Sequence, residues 1–207
     1  MTTPTGSTAD ATDYFNRLAD TGIWQDFSPD EAERLETHRQ RWSIRAGQAV
    51  LEPGCGAGRL TARLAEWVGP SGRVSACDPA EAMIARAAAR GLPAYVTLAA
   101  KALIDLDLAE AALDRVICFH IWPHFHDPAA VLRHVVPALR PGGEIWISHL
   151  KSSTAINHIH RNGPPEIQQH HLPDLEHLRA DLTAAGLTVV AAHDGDDGFW
   201  VGARRPA

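Results

Sequence analysis

Residues 50–61 read Val50-Leu-Glu-Pro-Gly-Cys-Gly-Ala-Gly-Arg-Leu-Thr61, with three glycines at alternate positions and a carboxylate two residues before the first. Glycines so spaced let the backbone turn tightly and let a ligand lie against the main chain. A helix starting after them offers unpaired N–H groups. A dinucleotide fingerprint needs G-x-G-x-x-G. Counted from Gly54 the third slot holds Arg59, and counted from Gly56 it holds Thr61. A carboxylate at Glu52 repels a pyrophosphate and attracts an ammonium or sulfonium. Asp78, twenty residues beyond Gly58, stands where a carboxylate can accept both hydroxyls of a ribose.

The chain has twelve histidines against two methionines, and nine of the histidines fall between residues 120 and 171. His120 and His149 each end an apolar run. His124 and His126 lie in Ile121-Trp-Pro-His-Phe-His-Asp127, and His158 and His160 in Ser152-Ser-Thr-Ala-Ile-Asn-His-Ile-His160. Three readings compete. In the first, His149, His120 or His124 is a general base, which an ordinary pKa near 6.5 suits. In the second, two or three of His120, His124, His126, His149, His158 and His160, with Asp127, hold a divalent metal. The i, i+2 pairs 124/126 and 158/160 count against it, because such pairs point apart on a helix. In the third, these histidines are caps, core and surface residues. Alternation from Ile145 and Ile147 puts His149 on their face, reaching over the site. If 153–161 is helical, Asn157 and Arg161 share one face and His160 turns away from it.

Other side chains read as structural. Cys55 is a small residue in a tight turn, and Cys118 is buried and inert. Glu31, Glu33 and Arg34 form a solvated helix face. Trp24, Trp42, Trp122 and Trp146 are core or site walls.

Positioning these residues requires strands and helices in alternation. Residues 1–12 are small and polar and read as disordered. Tyr14, Phe15 and Leu18 share one helix face, and Ser28-Pro-Asp-Glu31 reads as an N-cap for a helix reaching about Ile44. Together 13–46 form a helical cover. Strands are expected at 48–51, 73–77, 94–98, 113–119, 144–150, 187–192 and 199–203. Helices are expected at 59–68, 80–90, 128–139 and 173–185. Such alternation argues a mostly parallel sheet with helices on both faces. The polar turn before Phe199 argues a closing antiparallel hairpin at the sheet edge.

Length and composition bound the rest. With 207 residues, 45% hydrophobic and 21% charged, the chain suits one domain, 13–207. A net charge of −6 excludes a globally basic nucleic-acid binder. No run approaches the roughly 18–20 apolar residues of a membrane helix, and no secretory signal is visible. Three widely spaced cysteines fit reduced thiols and a cytoplasmic protein.

Glu-x-Gly-x-Gly-x-Gly at 52–58, Asp78 and Leu139-Arg-Pro-Gly-Gly-Glu-Ile-Trp-Ile147 together resemble the class I S-adenosylmethionine-dependent methyltransferases, over about residues 13–205. The resemblance implies a Rossmann-like three-layer α/β sandwich. Its seven-stranded, mostly parallel sheet has the order 3-2-1-4-5-7-6, with strand 7 antiparallel. It implies that Gly54, Cys55, Gly56 and Gly58 line the methionine part of the cofactor and that Glu52 sits beside its amino group. Asp78, with Pro79 and Met83, holds the ribose, and Lys101 and Ala102 lie toward the adenine. Phe119 and His120 border the methyl group, and Tyr14 and Phe15 cover the cofactor. One departure is the segment after the third strand, Leu98-Ala-Ala-Lys-Ala-Leu103, which lacks the family's usual acid or polar residue and leaves the adenine amino group to the main chain or unread.

The function this implies is methyl transfer from S-adenosylmethionine to a small-molecule oxygen, nitrogen or sulfur. Such enzymes work by holding nucleophile and methyl in line, and a base is needed only for an acceptor that keeps its proton. The acceptor loops, 121–127 and 151–172, carry histidines, Trp122 and Phe125 but few acids, which suits a small polar or anionic acceptor. The Asn/Asp-Pro-Pro-Tyr/Phe motif of amino-methylating nucleic-acid enzymes is absent. Neither a nucleic acid nor a membrane is expected as a partner, and the protein is expected to be a monomer or homodimer. The alternatives are cyclisation of S-adenosylmethionine or a metal-assisted reaction on the same fold, and a non-catalytic cofactor- or metal-binding module.

Overall fold

The computed structural model describes residues 8–23 and 25–207. Trp24 and residues 1–7 of the segment expected to be disordered lie outside the described residues. Helix α1 (Thr8–Leu18) begins earlier than the sequence suggests. Ala11 is a strong helix former. Helix α2 (Pro29–Trp42) opens on a capping box: Ser28 Oγ accepts the Glu31 N–H at 3.2 Å, and Glu31 Oε2 accepts the Ser28 N–H at 3.0 Å. It closes at Ser43, whose φ is 47.

The sheet then forms from β1 (Ala49–Pro53), β2 (Arg73–Cys77), β3 (Val96–Ala99), β4 (Leu113–Phe119), β5 (Leu139–His149), β6 (Thr188–Gly195) and β7 (Gly198–Arg204). Its order is β3-β2-β1-β4-β5-β7-β6, with β7 antiparallel to both β5 and β6. This is the order and the antiparallel strand that the resemblance implies. The connecting helices are α3 (Arg59–Val68), α4 (Glu81–Ala88), α5 (Pro128–Val135), α6 (Ser153–Arg161) and α7 (Leu175–Ala184).

Alternation along the central strands builds two cores, one per face. Val116, Cys118, Ile145 and Ile147 pack with Leu132 of α5, Ile156 of α6 and Leu178 of α7. Ile117, Phe119 and Trp146 pack on the other face with Leu35 and Trp42 of α2 and Leu60 and Leu64 of α3. Among the described residues, no helix is long and apolar enough to cross a membrane.

Two boundaries differ from the sequence reading for a physical reason. The helix expected over 128–139 stops at Val135 and finishes as a 3-10 turn, Val136–Ala138. Pro137 has no N–H to continue an α-helical ladder. Strand β5 begins at Leu139, paired to Leu113, rather than at Glu144. The Pro-Gly-Gly that reads as a turn is carried within it, with Pro141 and Gly142 exposed and Gly142 at φ 79. The strand order reverses between β1 and β4, and the crevice beyond their carboxyl ends is where such sheets bind ligands.

Candidate active site

Glu52, near the end of β1, is 3% exposed. Thr61 of α3 donates its hydroxyl to Glu52 Oε2 at 2.6 Å, and Oε1 takes no hydrogen bond from the described residues. Burial pushes the carboxyl up to about 8, against the Thr61 hydrogen bond. Asp78 follows β2. Its Oδ2 accepts the Gly56 N–H and its Oδ1 the Ala80 N–H, both at 2.9 Å. Burial raises its pKa and these two bonds oppose the rise. The carboxylate that reads as a ribose ligand therefore also pins the glycine turn to β2.

The three glycines do different work. Gly56 has φ 52, and a Cβ there would stand in open space, so its main chain is bare toward the cavity. At Gly54 a Cβ would fall 2.4 Å from Ile121. At Gly58 it would fall 2.9 Å from Ala87 of α4. Gly58 does not line the cavity, contrary to the sequence expectation; it lets α3 and α4 approach.

A cavity of about 1830 Å³ opens at this switch point. Among residues singled out from sequence, Tyr14, Phe15, Glu52, Gly54, Cys55, Gly56, Asp78, Pro79, Met83, Ala102, Phe119 and His120 line it, as do His124, His126, His149 and His160. Lys101 does not; it is exposed, and the chain beyond it lines the cavity with Ala102, the buried Leu103 and, exposed at the rim, Ile104. His158 is exposed on the outer side of α6, away from His160. The Cys55 thiol is pushed well up by burial and is no nucleophile.

The histidines separate into two groups. His120, His149 and His38 form the deeper one. The His120 and His149 rings meet edge-on with centroids 5.0 Å apart. Both nitrogens of His149 are sealed from solvent and have no hydrogen-bond partner. His149 lines the cavity rather than facing solvent, but its ring packs against His120 and Phe199, and its sealed nitrogens do not reach an acceptor. Burial holds its pKa well below the ordinary value, and pushes His120 down to about 3 and His38 to about 4. His38, on α2, packs against Trp42, Phe119 and Trp200 with both nitrogens unpartnered. The second group is His124, His160 and His170. His124 Nδ1 lies 2.6 Å from His170 Nδ1, and His160 Nδ1 donates to the His170 carbonyl at 2.8 Å. Among the described residues, no three His, Cys, Asp or Glu are arranged to hold a metal ion. The metal reading therefore finds no ligand set: His126 is exposed at the rim and His158 faces outward.

The cover and the acceptor loops are tied together. Arg17 of α1 meets Glu166 at 2.5 Å, and Phe15 stands edge-on to His124 at 5.2 Å. Asn157 of α6 donates to the Leu172 carbonyl at 2.9 Å and accepts the Leu172 N–H at 2.8 Å, fixing the loop between them. Glu31 and Arg34 are not a solvated face. Glu31 pairs with Arg59 at 3.2 Å, Arg34 donates to the carbonyls of Leu150 and Asp196, and both residues line the cavity. Sequence reasoning missed His38 and Arg59, whose partners come from distant segments.

Residues 50–143 match a methyltransferase domain family. The O-methyltransferase resE of Aspergillus sclerotiorum is 28% identical over 150 residues, 67% of this chain and 56% of that protein. The ubiquinone biosynthesis O-methyltransferase of Xanthomonas oryzae pv. oryzae is 32% identical over 113 residues, 53% of this chain and 46% of that protein. The chain spans about half the length of these curated relatives. Among solved structures, the N-methyltransferase NodS from Bradyrhizobium japonicum in complex with S-adenosylhomocysteine superposes with a TM-score of 0.71 at 21% identity, covering 96% of this chain and all of that one. A methyltransferase from Aquifex aeolicus gives 0.70 at 22%, covering 93% and 97%. The domain match over residues 50–143 and the sheet order make the chain similar to the class I S-adenosylmethionine-dependent methyltransferases, whose fold it shares.

Proposed function

We propose that this chain is an enzyme that transfers a methyl group from S-adenosylmethionine to a small-molecule acceptor. The observation that carries this is the pair of buried carboxylates, Glu52 and Asp78, flanking the bare main chain of Gly56. Those groups fit the cofactor. The free oxygen of Glu52 suits its ammonium, and each Asp78 oxygen keeps a lone pair for a ribose hydroxyl. Ala102 to Ile104 and Phe15 supply flat apolar walls. When bound, S-adenosylmethionine would supply an electrophilic sulfonium methyl group to an acceptor lone pair.

The chain's own residues position and exclude water. Helix α1 closes over the cavity through Arg17–Glu166 and Phe15–His124, and alignment of the two reactants is worth a large share of the barrier. Of the histidines the sequence offers for catalysis, His120 faces the acceptor, His149 backs its ring, and His124 joins the acceptor wall. The relatives named O-methyltransferase support a small-molecule acceptor. A cytoplasmic setting is supported by three buried free thiols.

The test is incubation with S-adenosylmethionine, alone and with a panel of phenols and heteroaromatic acids, following two products. S-adenosylhomocysteine that forms only with an acceptor supports methyl transfer. Methylthioadenosine without acceptor would assign cyclisation instead, and binding without either product a non-catalytic module.

A further inference from the structure

We propose that His120 is a hydrogen-bond donor to the acceptor, which turns toward it an atom with a free lone pair: a deprotonated oxygen or sulfur, or a ring nitrogen bearing no hydrogen. This deepens, and rests on, the methyl-transfer reading above.

His120 directly follows β4, and its backbone N–H extends the ladder to the Ser148 carbonyl at 2.9 Å. Its φ is 59, a left-handed conformation uncommon outside glycine and in which histidine is enriched. Strain of this kind clusters at functional sites. The turned ring meets the next strand's end, and the Leu150 N–H donates to His120 Nε2 at 3.4 Å. A neutral imidazole carries one proton, so a lone pair at Nε2 places that proton on Nδ1. Among the described residues Nδ1 has no hydrogen-bond partner, and it is not among the sealed nitrogens, which leaves its N–H to the cavity that the ring lines. Burial first, then the charges of Arg59 and Lys151, keep the ring neutral.

Nδ1–H cannot accept a proton, so His120 is not a base. Its neighbour His149 has both nitrogens sealed, and His124 Nδ1 is engaged by His170. Neither His120 nor His149 can take a proton from an acceptor at this corner. An acceptor that arrives deprotonated needs no base. Lys151 lines the cavity beside His120 and makes no ion pair among the described residues, which favours an anion there.

The decisive measurement is nitrogen-15 NMR of histidine-labelled protein, free and with S-adenosylhomocysteine. The expected result is a neutral His120 ring protonated at Nδ1 in both. Protonation at Nε2 overturns the proposal, whatever the enzyme turns over. The second arm titrates p-nitrophenol and pyridine-3-carboxylate into the S-adenosylhomocysteine complex at neutral pH. Bound p-nitrophenol should show the phenolate absorbance. His120→Phe should weaken it about 10–100-fold, while His120→Gln, which keeps an N–H donor, should restore most of the affinity. Binding as the neutral phenol, unchanged affinity in His120→Phe, or no binding of either probe counts against the acceptor class. Wild-type protein that fails to bind S-adenosylhomocysteine would instead defeat the cofactor reading, and the tautomer of the free protein remains decisive for this one.

Discussion

Glu52 is a carboxyl that burial keeps protonated near neutrality, at about 8 against an ordinary 4.5. The folded, ligand-free protein therefore holds a proton that the unfolded chain releases above 4.5. Its contribution to stability is greatest below 4.5 and is lost as pH rises through 8. Glu52→Gln should flatten the fall in melting temperature between pH 5.5 and 8.5. An ammonium beside Glu52 favours the carboxylate, so S-adenosylhomocysteine binding near pH 7 should release a proton. Calorimetry in buffers of different ionisation enthalpy measures that release, and Glu52→Gln should abolish it and weaken binding about 10–100-fold. His149 offers a contrast. A general base is worth about 10²–10⁴ in rate, but the His149 nitrogens are sealed. His149→Gln should keep turnover within roughly tenfold of wild type, a loss far smaller than that. A thousandfold loss with normal cofactor binding would restore the base reading.

Helices and strands fix these side chains through contacts that the sequence shows unevenly. Strands β2 and β4 and helix α3 fall on the expected residues, because Gly and Pro punctuate their ends and their apolar periods are clean. Strand β5 reads short because Pro-Gly-Gly signals a turn locally, yet pairing to β4 carries it through. His38 is invisible in sequence: α2 is crowded with charges, and only Phe119 and Trp200, from distant strands, make its environment apolar. Gly58 reads as a ligand glycine by its motif, while its neighbour Ala87 is set by helix packing. Gly58→Val should therefore lower the melting temperature sharply, since the added atoms meet α4. Glu144, 5% exposed, receives Arg204 at 2.7 Å and the Trp146 indole at 3.0 Å. Its removal strips a carboxylate from the largely buried Arg115, 3.7 Å away, and from the half-exposed Arg204, so Glu144→Ala should destabilise by about 1–3 kcal/mol in chemical denaturation. Cofactor affinity in the surviving folded fraction should stay unchanged, since Glu144 sits midway along β5, five residues before His149, and does not line the cavity.

At the scale of the molecule, one sheet reversal creates one crevice, and residues from β1, β2, β4, β5 and the N-terminal cover converge on it. The cofactor half was legible because its motif is local in sequence; the acceptor half was not, because its histidines gain roles only through pairing across loops. No metal-ligand set forms among the described residues, so chelators should leave turnover and cofactor affinity unchanged. The central claim is that Glu52, Gly56 and Asp78 build a site for S-adenosylmethionine. It is tested most directly by calorimetric titration of S-adenosylhomocysteine, with NADH as the competitor class, into wild type and Asp78→Ala. Both proteins should first be checked for folding by thermal melts, since Asp78 also anchors Gly56 and Ala80. The account predicts saturable binding of S-adenosylhomocysteine, none of NADH, and an affinity about 10–100-fold weaker in folded Asp78→Ala. Equal affinity in the two proteins, or NADH bound as tightly as S-adenosylhomocysteine, would contradict it.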